Sequence, residues 1–351
     1  MFSTRKICPI IWAVACFAIL PLSDARASDD APTISYVNGH YPNAPGDYPT
    51  YNIYSMKIDG TDKKTLTSDG DSITGGWSPD GKQIAYTHRL PTRMVLNGQK
   101  VGRSHRLADL WVMNRDGSNK HELLHLEGVL NGPEWSPDGK TITFNYIPQE
   151  ELNEPTLHHQ SPYSIYCVNA DGAGELKLLK KYSPHGRFSP DGKMEAFVVL
   201  SSDRLTVHVA DADGSNDHPL VDPSTYPTAE GPVWSPDGKR IAFAAMTGHA
   251  DPEKGFVSEQ GIFTANPDGS DVRKIVGDPK WFCTQPSWSP KGDQIAYSCL
   301  AVPGCSGFVN RGNSKTPPPP CVREMFLISL AEPDAKPIDL GEGMAPEFSP
   351  R

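Results

Sequence analysis

Histidine and arginine supply the first candidate chemistry in this chain of 351 residues. His40, His88, His158, His159 and His249, with Glu150, Glu151 and Glu154 near the middle pair, are of the types that hold a divalent metal through imidazole and carboxylate atoms. Such a metal would suit an enzyme cleaving an acidic oligosaccharide. Arg89 or Arg106 would then neutralise a uronate carboxylate while a His or Tyr takes the proton. The spacing opposes one shared centre. His88 falls two residues after Tyr86, His40 four after Tyr36 and His249 six after Phe243, three aromatics in equivalent places of an internal repeat. No common register aims these rings at one point. The expectation is therefore no bound cofactor, with a divalent metal as the alternative.

Other chemistry is weaker. No Gly-x-Ser-x-Gly elbow offers a nucleophile. The run from Asp211 through Asp213 and Gly214 to Asp217 resembles a calcium loop but lacks the bidentate Glu at its far end, and its Asp-Gly step recurs elsewhere as a turn. Recognition remains. One segment carries Arg89, Arg93, Lys100, Arg103 and Arg106, and another carries Glu150, Glu151, Glu154, His158 and His159. A basic lobe beside an acidic one suits an anionic or zwitterionic ligand; the plainer reading is solvated loop charge of little energetic weight.

The elements that must position these residues are set by a repeat. GGWSPDGKQIAY from Gly75 recurs as PEWSPDGKTITF from Pro133, GRFSPDGKMEAF from Gly186, PVWSPDGKRIAF from Pro232 and PSWSPKGDQIAY from Pro286, and PEFSPR closes the chain. The anchoring aromatics Trp77, Trp135, Phe188, Trp234, Trp288 and Phe348 are 58, 53, 46, 54 and 60 residues apart, the period of a propeller or solenoid. Pro-Asp-Gly reads as a hairpin turn, and a second hairpin turns at Asp59-Gly60, Asp116-Gly117, Asp171-Gly172, Asp213-Gly214 or Asp268-Gly269. Four antiparallel strands per unit make a propeller blade. Strands two to four of one blade lie at the start of the chain and its first strand lies near Pro346–Ser349. The expectation is an all-β, six-bladed propeller whose ring closes by pairing its terminal strands.

These residues resemble the repeat of the periplasmic protein TolB and its relatives: Trp-Ser-Pro-Asp-Gly-Lys, then Ile-Ala-Tyr or Phe, then an Asx-Asp-Gly turn. The resemblance covers nearly all of the chain after residue 27 and implies the fold; the same repeat also occurs in peptidase propellers and in pectin-fragment lyases that hold a metal largely by His. TolB carries an α/β domain ahead of its propeller; with only residues 28–32 between the leader and the first strand, no such domain is expected here.

Arg5 and Lys6, an apolar run from Ile10 to Leu22 and Ala25-Arg26-Ala27 have the layout of a secretory leader, too short for a membrane span, so residues 1–27 read as a signal peptide and residues 28–351 as the propeller. Cys16 does not read as a lipid-anchor site, and no stable membrane insertion is expected. Cleavage takes the formal charge from −9 to about −11, which disfavours nucleic acid. A periplasmic or secreted location lets cysteines pair. Cys283 and Cys299 are equidistant from Lys291 and should face each other across a hairpin; Cys305–Cys321 would bracket four prolines, and Cys167 is left as a buried thiol.

Both turn sets leave each blade on one face, so all length variation enters on the other, through segments 38–50, 88–108, 147–161, 247–259 and 300–321. Function is expected on that loop-rich face. Asn131, His185, Glu230 and Gln285, just before their anchors, would converge at the channel mouth there, with Arg89, Arg103 and Arg106 around them and Tyr226 and Trp281 as loop aromatics. The leading expectation is a monomeric, non-catalytic binding module for an envelope protein, peptide or acidic glycan. The metal-dependent lyase and a structural envelope component are the rivals.

Overall fold

The computed structural model describes residues 32–351 except 41–49, 90–91, 97–98, 105–107, 154–162, 182–185, 202–203, 252–254, 278–280, 302–322, 333 and 351. The described residues form six four-stranded antiparallel sheets. Blade 1 runs, in hydrogen-bonded order, Met344–Phe348, Thr33–His40, Thr50–Lys57, Lys64–Thr65. Blade 2 is Ser72–Trp77, Gln83–Arg89, Ala108–Asn114, His121–Leu124, and blade 3 is Gly128–Trp135, Thr141–Pro148, Ser164–Asn169, Lys177–Lys180. Blade 4 has an inner strand of two residues, Arg187–Phe188, then Met194–Ser201, Arg204–Asp211 and His218–Pro219. Blade 5 is Thr228–Trp234, Ile241–Asp251, Gly255–Ala265, Arg273–Val276; blade 6 is Trp281–Trp288, Gln294–Ala301, Arg323–Ser329, Ile338–Glu342.

Each Ser-Pro-Asp-Gly turn is sealed by its own side chains. Ser78, Ser136, Ser189 and Ser235 each donate to the Asp two residues on at 2.7 Å. Each of these hydroxyls also accepts from the backbone N–H five residues on, at 2.9–3.0 Å. The turn thus satisfies its own polar groups and needs no help from neighbours. Asp213 and Asp211 likewise turn their oxygens on Ser215 and Asn216, so the calcium-like run is an Asx turn.

The anchors bind blade to blade. Trp77, Trp234 and Trp288 are buried, and each indole N–H donates to the carbonyl just before the previous blade's anchor, that of Glu347, Arg187 and Val233, at 3.2, 2.9 and 3.2 Å. An aromatic body filling the seam with its one donor satisfied explains the repetition. Trp135 departs from the rule: its Nε1 is buried without a partner.

The ring closes where expected. Ile34 pairs with Phe348 and Ser35 with Glu347, and the Ser349 N–H donates to the Thr33 carbonyl at 2.7 Å. Phe348 packs into one buried cluster with Ile34, Tyr36, Met325 and Leu327, so the last strand ties blade 1 to blade 6. Deleting residues 344–351 should therefore abolish cooperative unfolding. A truncated chain that melts cooperatively at the parental Tm would show that closure does not depend on this strand.

Candidate functional site

Because each inner strand ends at its anchor and then turns, the residue just before the anchor lies low in the channel, beside the turn face, and earlier residues lie nearer the loop face. At the low level Arg187 of blade 4 donates from Nε to Glu134 of blade 3 at 2.6 Å and from Nη2 to Glu347 of blade 1 at 3.0 Å. Glu347 also accepts from the Ser287 hydroxyl of blade 6 at 3.2 Å. Four of the six blades are thus tied across the channel axis. The three charged side chains keep 33, 28 and 24 % of their exposure, so channel water still reaches them. Burial pushes the Glu134 carboxyl up despite Arg187, with Glu347 adding to the shift; burial also opposes the Arg187 charge, but its two carboxylates outweigh that and hold its pKa above the ordinary value.

One level higher, Asn131 and Glu230 occupy the same position, four residues before Trp135 and Trp234. The Asn131 Oδ1 is buried without a hydrogen-bond partner, and burial raises the pKa of Glu230, for which no ion pair occurs among the described residues. These are the two sequence candidates brought to one level of the channel wall, and Asn131 has acceptor capacity to spare. Gln285 is not a third. It sits one residue closer to its anchor, at a bulge where blades 3 and 5 have Gly132 and Gly231, and adopts φ 55°. Its amide oxygen accepts from Ser298 Oγ at 2.9 Å and from the Ala345 N–H at 3.0 Å. Its side chain joins blades 6 and 1 and holds the strained backbone. His185 lies outside the described residues.

The rim differs from a fringe of loops. The segment expected between Thr247 and Glu259 is a strand pair in register from Thr247↔Glu259 to Asp251↔Gly255, and the basic segment contains a ribbon of Thr92–Leu96 with Gln99–Ser104. Gln149–Asn153 is a short 3-10 helix. Arg89 lies over the Tyr51 ring at 5.1 Å. Arg103 is placed only by its backbone pairing with Arg93, and Arg106 falls outside the described residues. Tyr226 and Trp281, both half-buried, each pack edge-on against a neighbouring ring, Phe263 at 5.5 Å and Phe326 at 6.0 Å.

Of the metal candidates, His158 and His159 lie outside the described residues, and His40 and His249 are placed only by backbone pairing with Thr50 and Val257. The His88 ring sits 5.2 Å from Trp111. A different group gathers on blade 2: the ligand atoms of Asp109, Glu122 and His125 lie within 4.8 Å of one another, with His125 Nδ1 2.8 Å from Asp109 Oδ1. Sequence reasoning passed over it. The signal was Asp109, fully buried at a position where blades 1, 3, 4 and 5 have Asn52, Ser164, Thr206 and Gly261 and blade 6 has the half-buried Glu324.

The cysteines follow the expectation in part. Cys283 and Cys299 oppose each other in the strand pair and are disulfide-bonded, with the Gln260 amide oxygen accepting from the Cys283 N–H at 3.0 Å. Cys167 is an unpaired thiol but only half-buried, and burial still raises its pKa. It stands opposite the exposed Lys177 of the blade's short outer strand, which does not enclose it. Cys305 and Cys321 lie outside the described residues, as do residues 1–27.

The model of the family described as the TolB beta propeller domain matches residues 89–299. The chain belongs to the TolB β-propeller family. Its similar relatives include the uncharacterized protein Atu1656 of Agrobacterium fabrum, 28 % identical over 204 residues, 54 % of this chain and 60 % of that protein. Another is the uncharacterized peptidase YuxL of Bacillus subtilis, 26 % identical over 209 residues, 51 % of this chain and 30 % of that protein. The matched stretch thus spans less than two thirds of either relative. Among solved structures, TolB from Acinetobacter baumannii superposes with TM-score 0.58 at 20 % identity, covering 91 % of this chain and 67 % of that one. That likeness shows the fold.

One departure from the TolB-type repeat lies in the wall beside this channel. Ile34, Ile84, Ile142, Ile241 and Ile295, all fully buried, occupy one position of the second strand; blade 4 has Glu195 there. Lys180 of blade 3 donates to its Oε2 at 2.9 Å while Oε1 is buried without a partner. A buried ion pair with an unsatisfied oxygen is a poor stabiliser compared with a packed aliphatic side chain. Glu195→Ile should raise stability by about 1–2 kcal/mol, because Lys180, 30 % exposed, can turn to solvent. A Tm at or below the parental value in a thermal melt would show that the ion pair holds blades 3 and 4 together.

Proposed function

We propose that this protein is an exported, non-catalytic binding propeller of the cell envelope that takes a protein, peptide or glycan at the loop side of its channel. The observation that carries this is the asymmetry of the channel. Arg187, Glu134, Glu347 and Ser287 cross it beside the turns, while above them lie Asn131 Oδ1, buried without a hydrogen-bond partner, and Glu230, a carboxyl with no ion pair among the described residues. Such acceptors suit a ligand that brings N–H or O–H groups, as peptides and sugars do. The inserted ribbon and the long hairpin of blade 5 enlarge the same face. The apolar start of the chain supports export. No helix among the described residues is long and apolar enough to cross a membrane.

The group of Asp109, Glu122 and His125 favours a second reading, a divalent metal on the rim of blade 2. The exposed His125 ring is hydrogen-bonded through Nδ1 to the buried Asp109 carboxylate, and imidazole with two carboxylates is a donor set that a divalent ion accepts. Metal analysis of the purified protein should find less than stoichiometric metal if the binding module is right; one equivalent, lost in His125→Ala, would favour the metal-dependent reading.

The binding face is tested by variants in pairs. A partner captured by crosslinking from an envelope fraction should lose at least tenfold in affinity with Asn131→Ala plus Glu230→Gln, and be weakened by Arg103→Glu plus Arg106→Glu. Lys82→Glu plus Lys140→Glu, beside the turns, should leave it unchanged. Loss confined to the turn-side pair would place the partner on the other face.

A further inference from the structure

The turn of blade 6 breaks the repeat in a specific way. Where blades 2 to 5 read Ser-Pro-Asp-Gly-Lys, blade 6 reads Ser289-Pro290-Lys291-Gly292-Asp293: acid and base have changed places. Turn geometry does not require the exchange. The Ser289 hydroxyl finds its carboxylate all the same, donating to Asp293 at 2.8 Å, and Gln294 N–H donates back to Ser289 at 3.0 Å. The net charge of the turn is unaltered. What changes is where the cation points.

The seam between blades 5 and 6 opens on the turn face as a cleft of about 500 Å³, lined by Asp237, Lys239 and Arg240 of blade 5 and by Trp288, Lys291 and Gly292 of blade 6, among others. Gly292 lies against Pro236, the same contact that Gly238 makes with Pro190 one seam earlier. At that earlier seam the facing set is Asp191, Lys193, Met194 and Asp237, and between blades 2 and 3 it is Asp80, Lys82, Gln83 and Asp138. Both sets carry one cation and two carboxylates. The lining of the cleft between blades 5 and 6 carries three cations and one carboxylate, with Asp271 behind Arg240 as a second, in a chain whose formal charge is −9.

The three cations are not equally engaged. Arg240 is held in place from Nη1 by the Asp271 carboxylate at 2.9 Å and from Nη2 by the Thr264 hydroxyl at 2.9 Å and the Asp271 carbonyl at 3.0 Å, which fixes its guanidinium and offsets part of its charge. Lys239 lies 3.8 Å from Asp237, longer than the matching contacts of Lys82 and Lys193 at 3.3 and 3.4 Å. Lys291 is exposed and has no ion pair among the described residues. A concave site with one immobilised guanidinium in its lining and a lysine on either wall suits a compact oxyanion. A cleft of this size has room for the group that carries it.

We propose that the cleft between blades 5 and 6 binds a phosphate- or carboxylate-bearing anion, with Lys239, Arg240 and Lys291 as its ligands. This site is on the turn face and is independent of the loop-side reading. The full chain would be titrated by calorimetry with inorganic phosphate and, separately, with citrate at low ionic strength. Saturable one-to-one binding of at least one anion is expected, weakening as salt is added. Binding of phosphate alone would identify a phosphate-bearing ligand, of citrate alone a polycarboxylate. The double variant Lys291→Asp with Asp293→Lys restores the turn order of the other blades without changing net charge. It should fold normally and bind at least tenfold more weakly, whereas Lys82→Ala at another seam should bind as the parent does. Absence of saturable binding of both anions, or undiminished affinity in the double variant, would overturn the proposal.

Discussion

Between the Ser349 N–H and the Thr33 carbonyl is a hydrogen bond of 2.7 Å, and behind it Ser35 and Ile34 pair with Glu347 and Phe348. Without these contacts six twisted sheets would form an open fan with an unpaired edge at each end. With them the fan becomes a ring, and each inner strand is brought to face the others across a common axis. Glu347 shows the dependence directly: it belongs to the closing strand, its carbonyl accepts from the Trp77 indole, and its carboxylate meets Arg187 from the opposite side of the channel.

Closure also gives the ring two unlike faces. On one, serine hydroxyls and aspartates satisfy each turn from within, so four of the five complete turns are nearly interchangeable. On the other, strands continue past the sheet as hairpins of unequal length, and acceptors such as Asn131 Oδ1 are left without donors. Polar capacity left over in a partly desolvated place is costly unless something external satisfies it. That asymmetry is the physical basis for placing recognition on the loop side.

Departures from the repeat carry the remaining information. Glu195 stands among five buried isoleucines, Asp109 where blades 1, 3, 4 and 5 have neutral residues, Gln285 where blades 3 and 5 have glycine, and Lys291 where aspartates take the turn. In a repeat protein each blade is an internal control for the others, since the same backbone position meets nearly the same surroundings six times. A residue that the position does not require is either answered locally, as Gln285 is by Ser298 and Ala345, or left with unused capacity, as Glu195 and Lys291 are.

The sequence by itself determined the blade count, the strand order within each blade, the closing pair of termini and the Cys283–Cys299 bridge. All of these follow from turn residues at fixed offsets and from strict alternation along short strands, which act over a few residues. It also singled out Asn131 and Glu230 by position. Only the tertiary structure decided which candidates meet. The ion pairs of Arg187 with Glu134 and Glu347 join residues 53 and 160 positions apart, and no local pattern encodes that distance. Tyr226 and Trp281, loop aromatics by sequence, became packing partners of Phe263 and Phe326, because a side chain's surroundings depend on the neighbouring strands. The clustering of Asp109 with His125 and the cationic seam of blades 5 and 6 arise the same way, from strands and blades set side by side by closure of the ring.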